Sequence, residues 1–255
     1  MQLGDGTPRS PIASASVLLL RDAPAGIEVF LIERSGLSDV HGGAYVFPGG
    51  KLDRGDAAQA AALDGPADAL HAALGEPDVD LLFAAALHAA GVRELQEETG
   101  VVLPASGLLP WSRWITPAAS IRARKHFDVR FFVAQVPPGQ SPVHDAHEAS
   151  DSAWLRPAGA LQDYWNGRIQ LAPPQIMTLA ELAQHADVAS VLALARGRLP
   201  PRIQPEVFEE GGVHFVCYPG DERHAEPGRA MPGPTRLCWR QDRYEPPHGL
   251  QELLP

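Results

Sequence analysis

Three glutamates fall on one face of a short helix that the sequence predicts for residues 93–101. At about 100° per residue, Glu94, Glu97 and Glu98 lie within an arc of roughly 100°, and Leu95 is directed toward a core. Like charges four residues apart destabilise an isolated helix by roughly 0.2–0.5 kcal/mol. A hard divalent cation would reverse that penalty. The same pattern is also typical of a solvated acidic face, so this segment alone leaves both interpretations open.

The net charge limits which partners the chain can bind. Its 255 residues carry a formal net charge of −10 at pH 7, and a diffuse negative field attracts neither nucleic acid nor an anionic membrane surface. We therefore expect a small-molecule partner and no nucleic-acid or membrane partner. An anionic substrate would have to meet a metal ion or a local basic patch. The sequence leaves a homodimer open.

Cysteine content and hydropathy bear on the compartment. Cys217 and Cys238 are too few for a disulfide scaffold and lack the spacing of a zinc site, so we expect core thiols in a reducing compartment. The apolar run at residues 12–20 is too short to span a bilayer, and no basic segment or small-residue cleavage site flanks it. These absences predict a cytoplasmic protein.

The spacing of apolar and turn residues predicts mixed α and β elements around one sheet. The first two strands are expected to pair in antiparallel fashion across the loop at residues 22–26. The expected strands cover residues 13–20, 27–33, 108–115, 129–136 and 152–155, and the expected helices cover residues 158–165 and 176–195.

The acidic segment is expected to end a longer helix. Apolar spacing predicts that this helix starts at Leu81, and Gly100 is expected to cap its C-terminus. Upstream, the segment Pro48-Gly49-Gly50 predicts a tight turn. Between the turn and the helix, residues 57–80 are predicted to be an inserted, mostly helical segment.

The glycine turn and the acidic helix together resemble the Nudix hydrolases. The box of that family reads Gly, five residues, Glu, seven residues, then Arg-Glu-apolar-x-Glu-Glu-x-Gly-apolar. Gly50 fits the first glycine, Asp56 stands where the pattern has Glu, and residues 93–101 match every fixed position of the second half. However, 36 residues separate Asp56 from Arg93 where the pattern has seven. A loop can grow there at a cost of about 0.6 kcal/mol per doubling of length, but the role of Asp56 is left open.

An insertion inside the box resembles one Nudix branch in particular, which includes the animal peroxisomal coenzyme A diphosphatases. The segments that are similar to this branch are Trp111-Ser112-Arg113-Trp114-Ile115-Thr116-Pro117, residues 125–132, Trp154 with Pro157, and Ala172-Pro173-Pro174-Gln175. The resemblance runs from about residue 13 to residue 198. It implies an α/β (α+β) Nudix fold with a mixed sheet between helices over residues 1–198. After Leu199 the chain becomes rich in Pro and Gly, with β-like runs at residues 213–218 and 235–239, so we expect an extension over residues 199–255 that packs on the same domain.

The resemblance implies roles for the residues of the box. Glu94, Glu97 and Glu98 would bind Mg²⁺ or Mn²⁺, with the Gly49 carbonyl as a backbone ligand. Arg93 lies four residues before Glu97 and can therefore orient it.

A later loop can supply a further acid as ligand or general base, for which Glu148 is the first choice and Asp145 the second. Each of these loop acids is as readily explained by solvation alone.

A basic cluster past the box can bind an anionic substrate. Arg113, Arg122, Arg124 and Lys125 are the candidates, because the guanidinium fork suits phosphate. The alternative is a set of surface cations beside a strand. Trp111 and Trp114 could stack on adenine, but aromatic residues at this spacing more often belong to a core.

The leading functional hypothesis is a metal-dependent diphosphatase that cleaves coenzyme A or acyl-coenzyme A into 3′,5′-ADP and (acyl-)phosphopantetheine. It rests on the resemblance. The second hypothesis is an ADP-ribose or dinucleotide pyrophosphatase, since Pro117 lies near where ADP-ribose members of the family carry a proline. A third hypothesis is a Nudix module that only binds a nucleotide. Retention of all three glutamates argues against it.

Overall fold

The computed structural model describes residues 10–34, 43–60, 63, 66–117, 125–145 and 149–255. Within them are six α-helices: α1 Arg54–Ala60, α2 Ala67–Leu74, α3 Leu81–Thr99, α4 Pro157–Trp165, α5 Pro173–Leu182 and α6 Val188–Gly197. The strands are β1 Ile12–Ala23, β2 Gly26–Arg34, β3 Tyr45–Val46, β4 Gly49–Lys51, β5 Leu109–Ile115, β6 Phe127–Gln135, β7 Ala149–Leu155, β8 Arg202–Ile203, β9 Glu206–Glu210, β10 Val213–Cys217, β11 Arg236–Arg240 and β12 Arg243–Glu245.

The main sheet is mixed and has the strand order β3-β2-β1-β6-β5-β8, with β4 paired to β1 and β7 paired to β2. β1 runs parallel to β6, and β5 runs parallel to β8. The hairpin of β1 and β2 is antiparallel, as the sequence predicted. Along each strand, successive side chains alternate between the two faces of this sheet.

Both faces of the main sheet are buried, which explains why β1 is continuously apolar over residues 17–20. Val17 and Leu19 point into a core beneath α3, together with Phe132. Leu18 and Leu20 point into a second core, which α4, α5 and α6 cover. The structure therefore confirms the predicted mixed sheet between helices.

The helix α3 is fixed at both ends and packs closely on the sheet. The Asp80 side chain accepts a hydrogen bond from Phe83 N at 2.7 Å, and Gly100 ends the helix with a left-handed φ of 72°. At Gly91 an added Cβ would lie 2.9 Å from Leu108 Cδ1. The obstacle is the end of a leucine side chain, and the nearest atoms of Phe132 and Val17 in the sheet would lie at ordinary contact distances of 3.6 and 3.7 Å from that Cβ. The helix therefore packs closely on the sheet at this glycine.

One expected helix is divided in the structure, and two of the C-terminal strands lie where the sequence predicts them. The single helix expected over residues 176–195 is two helices, because Asp187 caps α6 through Ser190 N at 2.8 Å while the Asp22 carboxylate accepts from Val188 N. β10 and β11 coincide with the β-like runs expected at residues 213–218 and 235–239, and with β9 and β12 they form a separate antiparallel sheet of order β12-β11-β10-β9. Its Val216 and Leu237 share the core beneath the main sheet with Trp114.

Candidate active site

The chain between β3 and β4 turns against the strand β1. Val17 N donates to the Pro48 carbonyl at 2.8 Å, and Ser16 Oγ donates to the same oxygen at 3.1 Å. Gly49 follows with a φ of 154°, and a Cβ there would lie 2.4 Å from the Ala15 carbonyl oxygen. Only glycine fits, because the obstacle is backbone that cannot move aside.

The turn and the acidic helix meet at two carboxylates. Gly49 N donates to Glu98 Oε2 at 2.6 Å, and the Glu98 residue is only 6% exposed. The space that a side chain at position 50 would need is filled by the Glu94 carboxylate, whose Oε1 lies 2.3 Å from an ideal Cβ on Gly50. The two halves of the box are therefore assembled in spite of the insertion between them.

Arg93 holds three carboxylates with one guanidinium. Its Nη1 donates to Glu94 Oε1 at 2.8 Å and to Glu97 Oε2 at 2.9 Å. Its Nε and Nη2 donate to the two oxygens of Asp56 at 2.7 and 3.0 Å. These bonds, with Asp56 first among them, raise the pKa of Arg93 above its usual value. The side chain therefore stays charged and fixed, and it can orient both glutamates.

The geometry answers the question that the sequence left open about Asp56. This residue is fully buried, and besides Arg93 it accepts a hydrogen bond from Asp53 N at 2.7 Å. An aspartate at the start of α1 reaches Arg93 because α1 packs directly on α3. Its position in the box pattern was the signal for this contact.

The donor set around the turn suits a hard cation. Carboxylates and a carbonyl are the oxygen ligands that Mg²⁺ and Mn²⁺ prefer, and Glu94 and Glu98 both lie against the turn that carries the Gly49 carbonyl. Among the described residues no three His, Cys, Asp or Glu side chains converge on one point that could hold a metal ion. The reason is local, because Arg93 draws Glu94 and Glu97 toward itself while Glu98 accepts from Gly49 N.

One contact at this turn was missed by the sequence analysis. Arg34, the last residue of β2, donates from Nη2 to the Gly49 carbonyl at 3.2 Å. The strand pairing shifts register between Glu33 and Arg34, which re-aims the side chain at the end of the strand. No spacing in the sequence signals this, since it depends on a bulge.

The loop after β6 folds back onto the end of α3. Asp145 N donates to the Glu98 carbonyl at 3.0 Å, and Val143 N donates to the Thr99 carbonyl at the same distance. Asp145, the second choice for a further acid, therefore lies beside the acidic end of the helix. Glu148, the first choice, lies outside the described residues.

The structure describes two of the four candidate phosphate-binding cations, Arg113 and Lys125. Arg122 and Arg124 lie outside the described residues, and Lys125 precedes β6 at an intermediate exposure. Arg113 is already paired with two carboxylates. Its guanidinium contacts Glu76 at 2.8 Å and Asp128 at 2.8 and 2.9 Å. Contact of Arg113 with a substrate stays a prediction.

The other residues that the sequence singled out are core residues. Trp111 and Trp114 are 0% and 4% exposed and pack in the main core, so the core interpretation holds for both. Cys217 and Cys238 are buried and free, as expected, and burial raises the pKa of the Cys217 thiol to about 11. Both thiols are therefore protonated near neutral pH.

Comparison with known proteins agrees with this arrangement. Residues 93–182 match the family model described as the NUDT19 Nudix domain. The crystal structure of a NUDIX hydrolase from Alicyclobacillus acidocaldarius superposes with a TM-score of 0.58 at 20% identity, covering 75% of this chain and 97% of that one. A mixed sheet, a glycine turn and an acidic helix of this kind define the Nudix fold.

The chain therefore resembles the Nudix hydrolases in its fold and over residues 93–182. Within that family it resembles the acyl-coenzyme A diphosphatase NUDT19 of Xenopus laevis, with 30% identity over 126 residues. That match covers 47% of this chain and 32% of the frog protein, so the aligned region spans about a third of the relative's length.

None of the described helices is long and apolar enough to cross a membrane. The cytoplasmic location and the homodimer stay predictions.

Proposed function

We propose that the chain is a metal-dependent diphosphatase that hydrolyses the diphosphate bond of coenzyme A or acyl-coenzyme A. The observation that carries the proposal is the hydrogen bond from Gly49 N to Glu98, which joins the glycine turn to the acidic helix. The resemblance to NUDT19 supports the choice of coenzyme A over other nucleoside diphosphate derivatives. The products would be 3′,5′-ADP and (acyl-)phosphopantetheine.

In this proposal Glu94, Glu97, Glu98 and the Gly49 carbonyl hold Mg²⁺ or Mn²⁺. A bound cation of this kind lowers the pKa of water and neutralises charge on the phosphoryl oxygens. Arg93 keeps Glu94 and Glu97 side by side, each within 2.9 Å of one nitrogen. The buried Glu98 is held against the glycine turn by its hydrogen bond from Gly49 N, which limits the motion of its carboxylate.

A general base is needed to remove a proton from the attacking water. We assign this role to Glu148 and give Asp145 the second place, since its backbone is bonded to the acidic end of α3. Arg122, Arg124, Lys125 and Arg113 are the proposed contacts to the phosphates of the substrate. Cations are required there because the protein as a whole is negatively charged.

The two candidate bases can be separated by a matched pair of variants, Glu148→Gln and Asp145→Asn. We expect Glu148→Gln to lower kcat by about 10²–10⁴-fold, the usual contribution of a general base, and Asp145→Asn to change it by a much smaller factor. The pH dependence of kcat for both variants checks the assignment. The reverse order of effects would transfer the role to Asp145.

A product assay tests the proposed substrate directly. The purified protein is incubated with Mg²⁺ or Mn²⁺ and, in separate reactions, with coenzyme A, acyl-coenzyme A, ADP-ribose, NADH and a diadenosine polyphosphate. The products are identified by mass. Release of 3′,5′-ADP and phosphopantetheine supports the proposal, and turnover of ADP-ribose alone would replace it by the second hypothesis. Binding of the nucleotides without any turnover would favour the non-catalytic module.

A further inference from the structure

A ring of four charged side chains joins the insertion to the main sheet. Glu76, from the loop between α2 and α3, bonds Arg130 at 2.6 and 3.0 Å and Arg113 at 2.8 Å. Asp128 bonds Arg113 at 2.8 and 2.9 Å and Arg130 at 2.9 Å. Each arginine therefore touches both carboxylates, and the two charges of each sign balance. We call these four residues the Glu76 clamp.

The clamp is mostly removed from water. The Arg130 side chain is only 3% exposed and that of Glu76 11%. A charge buried to this degree needs a partner, because solvation by water has been lost. Glu76 is the one member of the clamp that the insertion supplies, so the insertion neutralises a charge that the sheet itself leaves in excess.

Strand register places the clamp in line with the glycine turn. Ala15 of β1 pairs with Gly50 on one side and with Arg130 on the other, and Arg130 pairs with Arg113. Residues that pair across a sheet share a face. The clamp therefore lies on the sheet face that α3 covers. It continues the row of paired residues that begins at Gly50, beside the Glu94 carboxylate.

The clamp also holds the start of the catalytic helix. The Arg130 guanidinium lies 5.7 Å from the centre of the Phe83 ring, in the first turn of α3. Glu76 precedes the helix cap Asp80 by four residues. Because α3 is one uninterrupted helix from Leu81 to Thr99, its height over the sheet at the first turn sets the position of the glutamates in its last turns.

We infer that Glu76 is a positioning residue for the active site, which acts through Arg130 and the first turn of α3 to keep Glu98 in reach of the Gly49 turn. In this role the inserted segment supports the acidic helix α3 at its first turn. This inference rests on the proposed function only where it concerns turnover. The contact between Glu98 and Gly49 exists independently of any substrate.

Hydrogen exchange of the Gly49 amide tests the inference without substrate or metal. In Glu76→Gln the clamp keeps its shape but has an excess positive charge. We expect the Gly49 amide to exchange at least about tenfold faster than in the wild type, with faster exchange also in the first turn of α3. Asp78→Asn changes an exposed residue of the same loop that lies outside the clamp, and it should leave both rates unchanged.

A general loss of stability must be separated from loss of positioning. Asp221→Asn serves for this, because Asp221 is also buried and paired with an arginine, Arg236, but lies in the C-terminal part of the chain. It should lower Tm while leaving the Gly49 amide protected at temperatures well below Tm. Equal loss of Gly49 protection in both variants would overturn the inference, as would full protection in Glu76→Gln.

Charge balance can be restored by a second substitution if Glu76→Gln does not fold well enough to measure. In the double variant Glu76→Gln with Arg113→Gln, one charge of each sign is gone and Arg130 keeps Asp128. We expect most of the Gly49 protection to return. A double variant as unprotected as the single one would contradict the charge-balance argument. If the wild type hydrolyses none of the tested nucleotides, the proposed substrate fails while this exchange result still stands or falls on its own.

Discussion

At the scale of single residues, the site depends on how one guanidinium distributes its hydrogen bonds. Arg93 binds the buried Asp56 with two nitrogens and uses the third for Glu94 and Glu97. The sequence predicted that Arg93 orients Glu97, and the geometry adds Glu94 to that role. The two bonds to Asp56, together with a bond from Nη2 to the Lys51 carbonyl at 3.1 Å, fix the plane of the guanidinium that serves both glutamates.

The variant Asp56→Asn tests this dependence. It removes the buried charge that pairs with Arg93, and breaking a buried pair typically costs about 3–5 kcal/mol. We expect a loss of stability near the lower end of that range, because Glu94 and Glu97 still balance Arg93, together with a clear loss of kcat. Urea unfolding and steady-state kinetics measure the two effects.

Asp53→Asn is the control for Asp56→Asn, since Asp53 lies on the exposed side of the same turn and asparagine also caps helices well. It should change stability by less than about 0.5 kcal/mol. Equal effects of the two variants would show that the turn as a whole matters, and not the pair of Asp56 with Arg93.

At the scale of elements, the acidic helix and the glycine turn were predictable from their local patterns. The C-terminal end of α3 at Gly100 and the bend at Gly49 follow from residue types within a few positions. The burial of α3 did not follow. All residues from Ala84 to Gly91 are buried, because α1 and α2 pack on the helix in addition to the sheet. The spacing of apolar residues along one helix cannot reveal that helices of an inserted segment pack on it.

The contacts that join distant elements were equally hidden. Arg34 reaches the Gly49 carbonyl through a bulge, and Glu76 reaches Arg130 across 54 positions of sequence. Both depend on strand register, which the sequence specifies only through packing of the whole sheet. The second half of the box was recognisable because its fixed positions are close in sequence, in the last two turns of α3 and the two residues that follow it.

The variant Gly50→Ala tests the contact between turn and helix. An added methyl group would meet the Glu94 carboxylate, which is the mobile end of a side chain, and no backbone atom is among the nearest neighbours. We therefore expect the fold to persist with a stability loss below about 1.5 kcal/mol while Glu94 is displaced and turnover falls. Circular dichroism and kinetics distinguish the two.

The matched change is Gly55→Ala in α1, where an added Cβ meets no atom within 4 Å. Alanine favours a helix over glycine by up to about 1 kcal/mol, so this variant should be as stable as the wild type or more stable, with unchanged kinetics. Full activity of Gly50→Ala would show that the position of Glu94 is not critical.

At the scale of the whole molecule, the buried His88 makes the free energy of unfolding depend on pH. His88 is fully buried in the middle of α3 against Phe132, and burial lowers its pKa below the usual value. Between that lowered pKa and the ordinary value of about 6.5, the unfolded chain binds more protons than the folded chain. This contribution to stability is therefore complete above about pH 6.5 and is lost as the pH falls.

His88→Met should remove this part of the pH dependence. For the wild type we expect the free energy of unfolding to fall by up to about 1.4 kcal/mol per pH unit on the acid side of pH 6.5 because of His88. His185, whose pKa burial also lowers, contributes with the same sign in both proteins. Urea unfolding between pH 5 and 7.5 gives the slopes, with the exposed His248→Gln as control. Identical slopes for wild type and His88→Met would refute the assignment.

We propose that the acidic end of α3 and the Gly49 turn together bind a divalent cation. Mn²⁺ binding, followed by electron spin resonance on the wild type and on Glu98→Gln, tests it most directly. Glutamine keeps the shape of the side chain and can still accept from Gly49 N, so the fold should be retained. We expect binding to weaken at least about tenfold, which corresponds to about 1.4 kcal/mol. Equal affinity of a folded Glu98→Gln variant for Mn²⁺ would contradict the account.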